Sequence, residues 1–300
     1  MIAVANVISR PEQLPADFIR GLRSMPYPES VLMCPPDHFD VVDVKNPFMA
    51  NQTGRVDRGM AQKQWEALKR RFEEIGLRVE IILPRPDCED MAFAANQAFV
   101  GLDEQQRKIC VASRMKFCSR QREVPAFAEW FRRTGYTVRE LNGNHLFEGG
   151  GDAIWHPGRA LIWGGYGQRS DCEVYPQLAN LFNAPVILLH LVSERFYHLD
   201  TCFCPIDDGT ALVHMPALAG PAQDFIRAAF RKVIEVDEHE ATDLLACNAA
   251  AFCGRDVVLQ AGAVRTMERL QALGFRVHPV ETGEFMKSGG SVFCMKTAFF

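Results

Sequence analysis

The sequence predicts an α/β fold built from about five helix–strand units that close into one domain. Two observations carry this. Three segments share one helix–glycine–strand design and two more share it in weaker form, and a short asparagine-bearing motif recurs at the head of two units.

Gln62 to Leu83, Pro125 to Leu141 and Gly262 to Val280 each space apolar residues three and four apart, as on a helix with one buried face. Each helical pattern stops at a glycine (Gly76, Gly135, Gly274), the residue that takes a left-handed cap with least strain. Each then enters a short strand: Leu77 and Val79, Tyr136 and Val138, Phe275 and Val277. Val174 to Val192 repeats the design with Asn183 in the glycine's place, and Pro221 to Val236 repeats it with no glycine. FAANQAFVG, from Phe93 to Gly101, is matched by LACNAAAFCG, from Leu245 to Gly254. Both set an asparagine, Asn96 or Asn248, just before a small apolar run that reads as a buried strand. No low-complexity or Ser/Gly-rich tract separates the units, so one domain is expected over residues 1–300.

The chain has 300 residues, 48% of them hydrophobic, enough for a full core. Its net charge is -4, and the longest basic run is Lys69-Arg70-Arg71 on a solvated helix face, which argues against a nucleic-acid partner. No stretch reaches the roughly 18 to 20 apolar residues of a membrane span. The first residues lack a basic n-region, and Pro11 interrupts their apolar run, so no signal peptide is expected. Ten cysteines then read as mostly buried thiols in a reducing compartment, and the cytoplasm is the expected location. The apolar end Ala298-Phe299-Phe300 fits a core and a homo-oligomer interface equally well.

In a closed pseudo-symmetric array, equivalent strand ends converge near the axis. The isolated polar clusters fall at about the repeat spacing: Asn46, Asn96, Glu148 to Asp152, His198 to Asp200, and Cys294. Glu148-Gly149-Gly150-Gly151-Asp152 sets two acids around three glycines, a backbone that can approach a ligand closely. The other reading is a hairpin with solvated acids. His198 and Asp200 are expected on one face of a strand, where an imidazole beside a carboxylate serves as acid and base. Cys202 and Cys204 follow, but nothing completes a four-ligand set, so neither metal nor cofactor is expected. Cys294 is expected on the last strand, after the Gly-rich turn Ser288 to Ser291, where backbone N–H groups favour a thiolate. Arg169, in GGYGQRSD, suits bidentate binding of a carboxylate, and Asn46, before Pro47, suits hydrogen bonding to a polar substrate.

Taken together, NPFM, EDMAFAAN, FEGGGDA, GYGQRSD, YHLD and GGSVFC resemble, in this order, the guanidino-group modifying superfamily. That superfamily holds arginine deiminases, dimethylarginine dimethylaminohydrolases, amidinotransferases and arginine dihydrolases. The resemblance covers nearly the whole chain and implies a five-bladed α/β propeller (pentein) of ββαβ units. It implies a hydrolase of guanidinium C–N bonds with Cys294 as nucleophile, His198 as acid and base, and Glu148 pairing with the substrate guanidinium. Asp200 is then the adjacent carboxylate and Arg169 the group that recognises the substrate carboxylate. The extra glycine before Asp152 leaves either Asp152 or Asp200 as the second guanidinium partner. Asn96 stands where deiminases and dimethylargininases have an aspartate and the dihydrolase branch has an asparagine, which favours arginine dihydrolysis over dimethylarginine hydrolysis. Amidino transfer and a non-catalytic, propeller-shaped binding protein are the remaining readings.

Overall fold

The structure, a computed structural model, describes residues 7–14 and 17–300. Residues 1–6, at the start of the segment read for a signal peptide, lie outside them. Five small sheets carry the fold. The first holds β2 (Ser30–Met33) and, after helix α1 (Arg58–Glu74), β3 (Arg78–Ile81). The second runs β4 (Ala98–Leu102), β5 (Lys108–Ala112), α2 (Val124–Arg133) and β6 (Thr137–Arg139). The third runs β7 (Ala153–Trp155), β8 (Ile162–Tyr166), α3 (Tyr175–Phe182) and β9 (Val186–His190), with β1 (Val7–Ile8) added beside β9. The fourth runs β10 (Phe203–Pro205), β11 (Thr210–Val213), α4 (Gly220–Ala229) and β12 (Lys232–Glu235). The fifth runs β13 (Ala250–Phe252), β14 (Asp256–Gln260), α5 (Val264–Ala272) and β15 (Arg276–Val280).

Each sheet has the same plan. A short inner strand pairs antiparallel with a middle strand, and a helix then carries the chain to an outer strand parallel to the middle one. The first sheet draws its inner strand from the far end of the chain, since β16 (Thr297–Phe299) pairs antiparallel with β2. The middle strands are buried along nearly their whole length and read as continuous apolar runs, such as Val31-Leu32-Met33 and Val257-Val258-Leu259. The outer strands, covered on one side only, carry charges on the other, as at Arg78, Arg139, Lys232 and Arg276.

The helices bury the face their spacing predicts. On α1, Ala61, Trp65, Leu68 and Phe72 point inward, while Lys69 and Arg71 pair with Glu73 and Glu74 on the outside. All five expected helix–strand units are present. The glycines after α1, α2 and α5 have φ of +94°, +90° and +88°, Asn183 after α3 has +44°, and α4 ends extended at Phe230. Among the described residues no helix is long and apolar enough to cross a membrane. The ten cysteines are free and seven are buried.

The left-handed glycine after α2 gives a direct test. Space beside Gly135 is open, so Gly135→Ala adds backbone strain without a clash. Urea unfolding should show a loss of about 1–2 kcal/mol, and a loss near zero would mean that the helix does not end in the left-handed conformation.

Candidate functional site

The turns that precede the five inner strands meet, and hydrogen bonds join them in a circuit. The Ala95 amide donates to the Cys294 carbonyl at 3.1 Å and the Gly150 amide to the Ala95 carbonyl at 2.9 Å. Leu199 N–H donates to Asp152 Oδ1 at 3.0 Å, and Asn248 Nδ2 to the Asp200 carbonyl at 3.0 Å. Ser291 N–H and Cys294 N–H close the ring on Asn248 Oδ1, at 2.9 and 3.3 Å. Close approach of the turns depends on glycine. At Gly149 (φ +54°) an added Cβ would stand 2.7 Å from the carbonyl oxygens of both Asn96 and Ala98.

Two paired centres lie inside the ring. In one, His198 Nε2 meets Glu148 Oε2 at 2.7 Å while His198 Nδ1 faces Asn96 Nδ2 at 3.4 Å. Glu148 also accepts from Arg169 Nη1 at 3.1 Å and from Lys116 N–H at 2.9 Å. Burial would push its carboxyl up, but the hydrogen bond and charge of His198 and the Arg169 guanidinium outweigh it and hold the group down at about 2. In the other centre, Cys294 Sγ donates to Asp200 Oδ2 at 3.2 Å and receives Asn248 Nδ2 at 3.2 Å. Asp200 Oδ1 is buried with no hydrogen-bond partner among the described residues. Burial pushes the Asp200 carboxyl up to about 7, against the pull of the Cys294 hydrogen bond and the Lys296 charge.

Three expectations need correction. Residues Leu199–Thr201 form a tight 3-10 turn and β10 begins only at Phe203, so His198 and Asp200 do not share a strand face. The turn sends His198 to Glu148 and Asp200 to Cys294. Cys294 likewise sits in a turn before β16, held there by Asn248. Its thiol is not a resting thiolate: burial, then the Asp200 charge and hydrogen bond, push it well above its usual value.

The remaining candidates are brought to the same region. Asp152 is fully buried and takes Leu199 N–H on one oxygen and Ser170 Oγ, at 2.6 Å, on the other, so it braces the His198 turn. Burial pushes its carboxyl up to about 6. Asn46 caps Phe48 and Met49 and donates to the Ser288 carbonyl at 3.0 Å, tying its loop to the Cys294 loop. Arg169 donates to Glu148 and to the Lys45 carbonyl, its guanidinium 4.7 Å from the ring centroids of Phe117 and Tyr197. The nest is closed in this state: Cys294 is 2% exposed and Arg169 5%. Among the described residues no group of three His, Cys, Asp or Glu side chains stands ready to share a metal ion.

Four further residues shape the nest. Asn248 is the thiol's donor, and its sequence equivalence to Asn96 was the signal that pointed to it. Arg120, ion-paired to Glu123 at 3.1 Å, donates to Asn96 Oδ1 at 3.3 Å and so aims the Asn96 amide nitrogen at His198. Ser170 links Glu148 N–H to Asp152. Lys296 is buried two residues beyond Cys294. Nothing in the sequence marked the last three.

The model of the family N,N dimethylarginine dimethylhydrolase, eukaryotic, matches residues 36–300. The chain belongs to that family. It is similar to the bifunctional arginine dihydrolase/ornithine cyclodeaminase ArgZ of Synechocystis sp., with 38% identity over 88% of this chain and 37% of that protein. It thus spans a little over a third of that relative's length. Similarity to the N(G),N(G)-dimethylarginine dimethylaminohydrolase of Mycobacterium tuberculosis is 36% identity over 91% of this chain and 86% of that one. The crystal structure of the product-bound N-terminal domain of ArgZ, an arginine dihydrolase of the cyanobacterial ornithine–ammonia cycle, superposes with a TM-score of 0.85. That match has 36% identity and covers 90% of this chain and 97% of the domain. The chain therefore shares the mixed α/β fold of that domain.

The Cys294–Asp200 pairing makes a signed prediction. Removing the Asp200 charge removes an anion that keeps the thiol protonated, so Asp200→Asn should lower the thiol pKa. At pH 8, alkylation of Cys294 by iodoacetamide, followed by peptide mass spectrometry, should speed up about tenfold for each pH unit of that fall. An equal or slower rate would show that Asp200 does not face the sulfur.

Proposed function

We propose that this chain is a single catalytic domain, folded as a five-bladed α/β propeller, that hydrolyses guanidinium C–N bonds of free L-arginine. The observation that carries the reading is the joined nest: a Glu148–His198 pair and an Asp200–Cys294 pair in one ring of turns, with a neutral Asn96 between. The likeness to an arginine dihydrolase domain over nearly its full length supports it.

The chemistry follows from charge. A guanidinium carbon is electrophilic but resonance-stabilised, so it needs a strong nucleophile and anions that hold its positive charge. Glu148, ionised at all ordinary pH, and Asp200, with one oxygen free, supply the anions. In the resting nest Arg169 already occupies Glu148 as a guanidinium would. Substrate entry moves it off, and it then pairs with the substrate's α-carboxylate. The arriving guanidinium cation offsets the burial that keeps Cys294 protonated and so favours its thiolate. Sulfur adds to the guanidinium carbon, His198 protonates the departing amine, and a thiouronium remains on Cys294. His198 then takes a proton from water, which attacks the thiouronium and frees the sulfur.

Asn96 motivates two rounds. An aspartate there would be one more anion for the guanidinium, whereas an amide also suits the uncharged ureido group of citrulline. Two hydrolyses convert arginine to ornithine, ammonia and carbon dioxide. The match to the dimethylarginine family model favours a second reading, release of dimethylamine from dimethylarginine with citrulline as the end product. The substrate is a small guanidino compound in either case, no cofactor is needed, and the proposed compartment is the cytoplasm.

Incubation with L-arginine, citrulline and dimethylarginine side by side, with ornithine and ammonia measured, separates the readings. Dihydrolysis requires ammonia from citrulline, and its absence removes the two-round version. Cys294→Ser should abolish turnover of every substrate, and His198→Asn should lower it by about 10² to 10⁴. Asn96→Asp should stop the reaction at citrulline, which chromatography of the products would reveal as citrulline in place of ornithine.

A further inference from the structure

A cavity of about 130 Å³ lies among the inner strands of all five sheets. Its walls are mostly apolar and include the rings of Phe99, Trp155, Phe252 and Phe293, with Phe99 stacked on Trp155 at 5.2 Å. Trp155, Ala251, Phe293 and Ala298 line it yet keep part of their surface exposed, so the space is reachable from solvent. Ala95, the neighbour of Asn96, also lines it, as does Gly150, between Glu148 and Asp152. Phe293 and Lys296 bracket Cys294. The cavity therefore backs directly onto three of the five turns that carry the catalytic nest.

Lys296 is the cation among these walls. It is 4% exposed, its Nζ stands 3.3 Å from the Phe293 ring centroid, and no carboxylate or hydrogen-bond acceptor among the described residues pairs with it. An ammonium so buried is unfavourable unless an anion or water meets it. The space decides which anion suits. An apolar protein cavity of about 150 Å³ is large enough to bind benzene, so a single ring or a short branched chain fits the volume here.

We infer that this central cavity is a second ligand site, for a small monocarboxylate with an apolar or aromatic body, held by its carboxylate on Lys296 and by its body among the aromatic walls. Occupancy reaches the nest from behind. The Lys296 charge favours the ionised forms of Asp200 and Cys294, and a carboxylate on Nζ cancels that field. Burial brings Lys296 down to about 8, against the pull of the Asp200 charge. The bound acid therefore makes the Cys294 thiol harder to ionise and acts as a non-competitive brake, whatever the guanidino substrate.

Sodium benzoate is the probe, with benzyl alcohol as its neutral counterpart and sodium chloride as the bare anion. Calorimetric titration of the full chain at pH 7 should show benzoate binding at least tenfold tighter than benzyl alcohol. Lys296→Met should lose that preference. Ala251→Phe, which fills the cavity from β13 and leaves Lys296 in place, should lose binding altogether, with circular dichroism to show that both variants fold. In the wild type, saturating benzoate should slow Cys294 alkylation several-fold, a readout that needs no substrate. Equal binding of benzoate and benzyl alcohol, full displacement of benzoate by an equal concentration of chloride, unchanged benzoate affinity in folded Lys296→Met, or alkylation indifferent to benzoate would each overturn the inference.

Discussion

The nest rests on one constraint, that polar turns meeting at the centre of a fold must satisfy one another. Glu148, Asp152, His198 and Asp200 are each at most 1% exposed, so water cannot serve them. The turns instead donate and accept around a circuit in which each hydrogen bond fixes the next. Asn248 shows the principle most compactly, since one amide holds two backbone N–H groups, a carbonyl and the sulfur of Cys294. A buried group left without its partner costs about 1–3 kcal/mol, which makes the ring rigid as a unit and keeps its members from being exchanged singly.

The same burial sets the resting chemistry. Glu148 stays ionised because His198 and Arg169 outweigh its desolvation, whereas at Asp200 and Cys294 burial outweighs the contacts that favour ionisation and pushes both toward their protonated forms. The site is thus asymmetric: the Glu148 carboxylate is held ionised, whereas the Cys294 thiol is held protonated. A guanidinium brings positive charge with it. Arg169, seated on Glu148 between two aromatic rings, holds the place that an incoming guanidinium would claim. The Lys296 charge, beside the same turns, pulls Asp200 the other way, toward its ionised form.

The spacing of apolar residues and the glycines at helix ends determined the five helix–strand units, because helix period and left-handed caps are local properties of the chain. Glu148, His198 and Cys294 were legible as an ordered set of motifs. Their partners were not. A period-two reading of His198-Leu199-Asp200 pairs the imidazole with the nearer carboxylate, but a 3-10 turn rotates the two residues apart and gives each a partner about fifty to a hundred positions away.

What tertiary structure alone decided is therefore what depends on distance through space. The last strand completes the first sheet across the length of the chain, which places Cys294 against Asn248 and Asp200 rather than among free backbone amides. The protonated resting thiol, the bracing role of Asp152, the aiming of Asn96 by Arg120 and the burial of Lys296 all arise from desolvation and from neighbours remote in sequence. Local pattern fixes the kind of each element; only the closed fold fixes which charges share a low-dielectric space, and that sets their protonation.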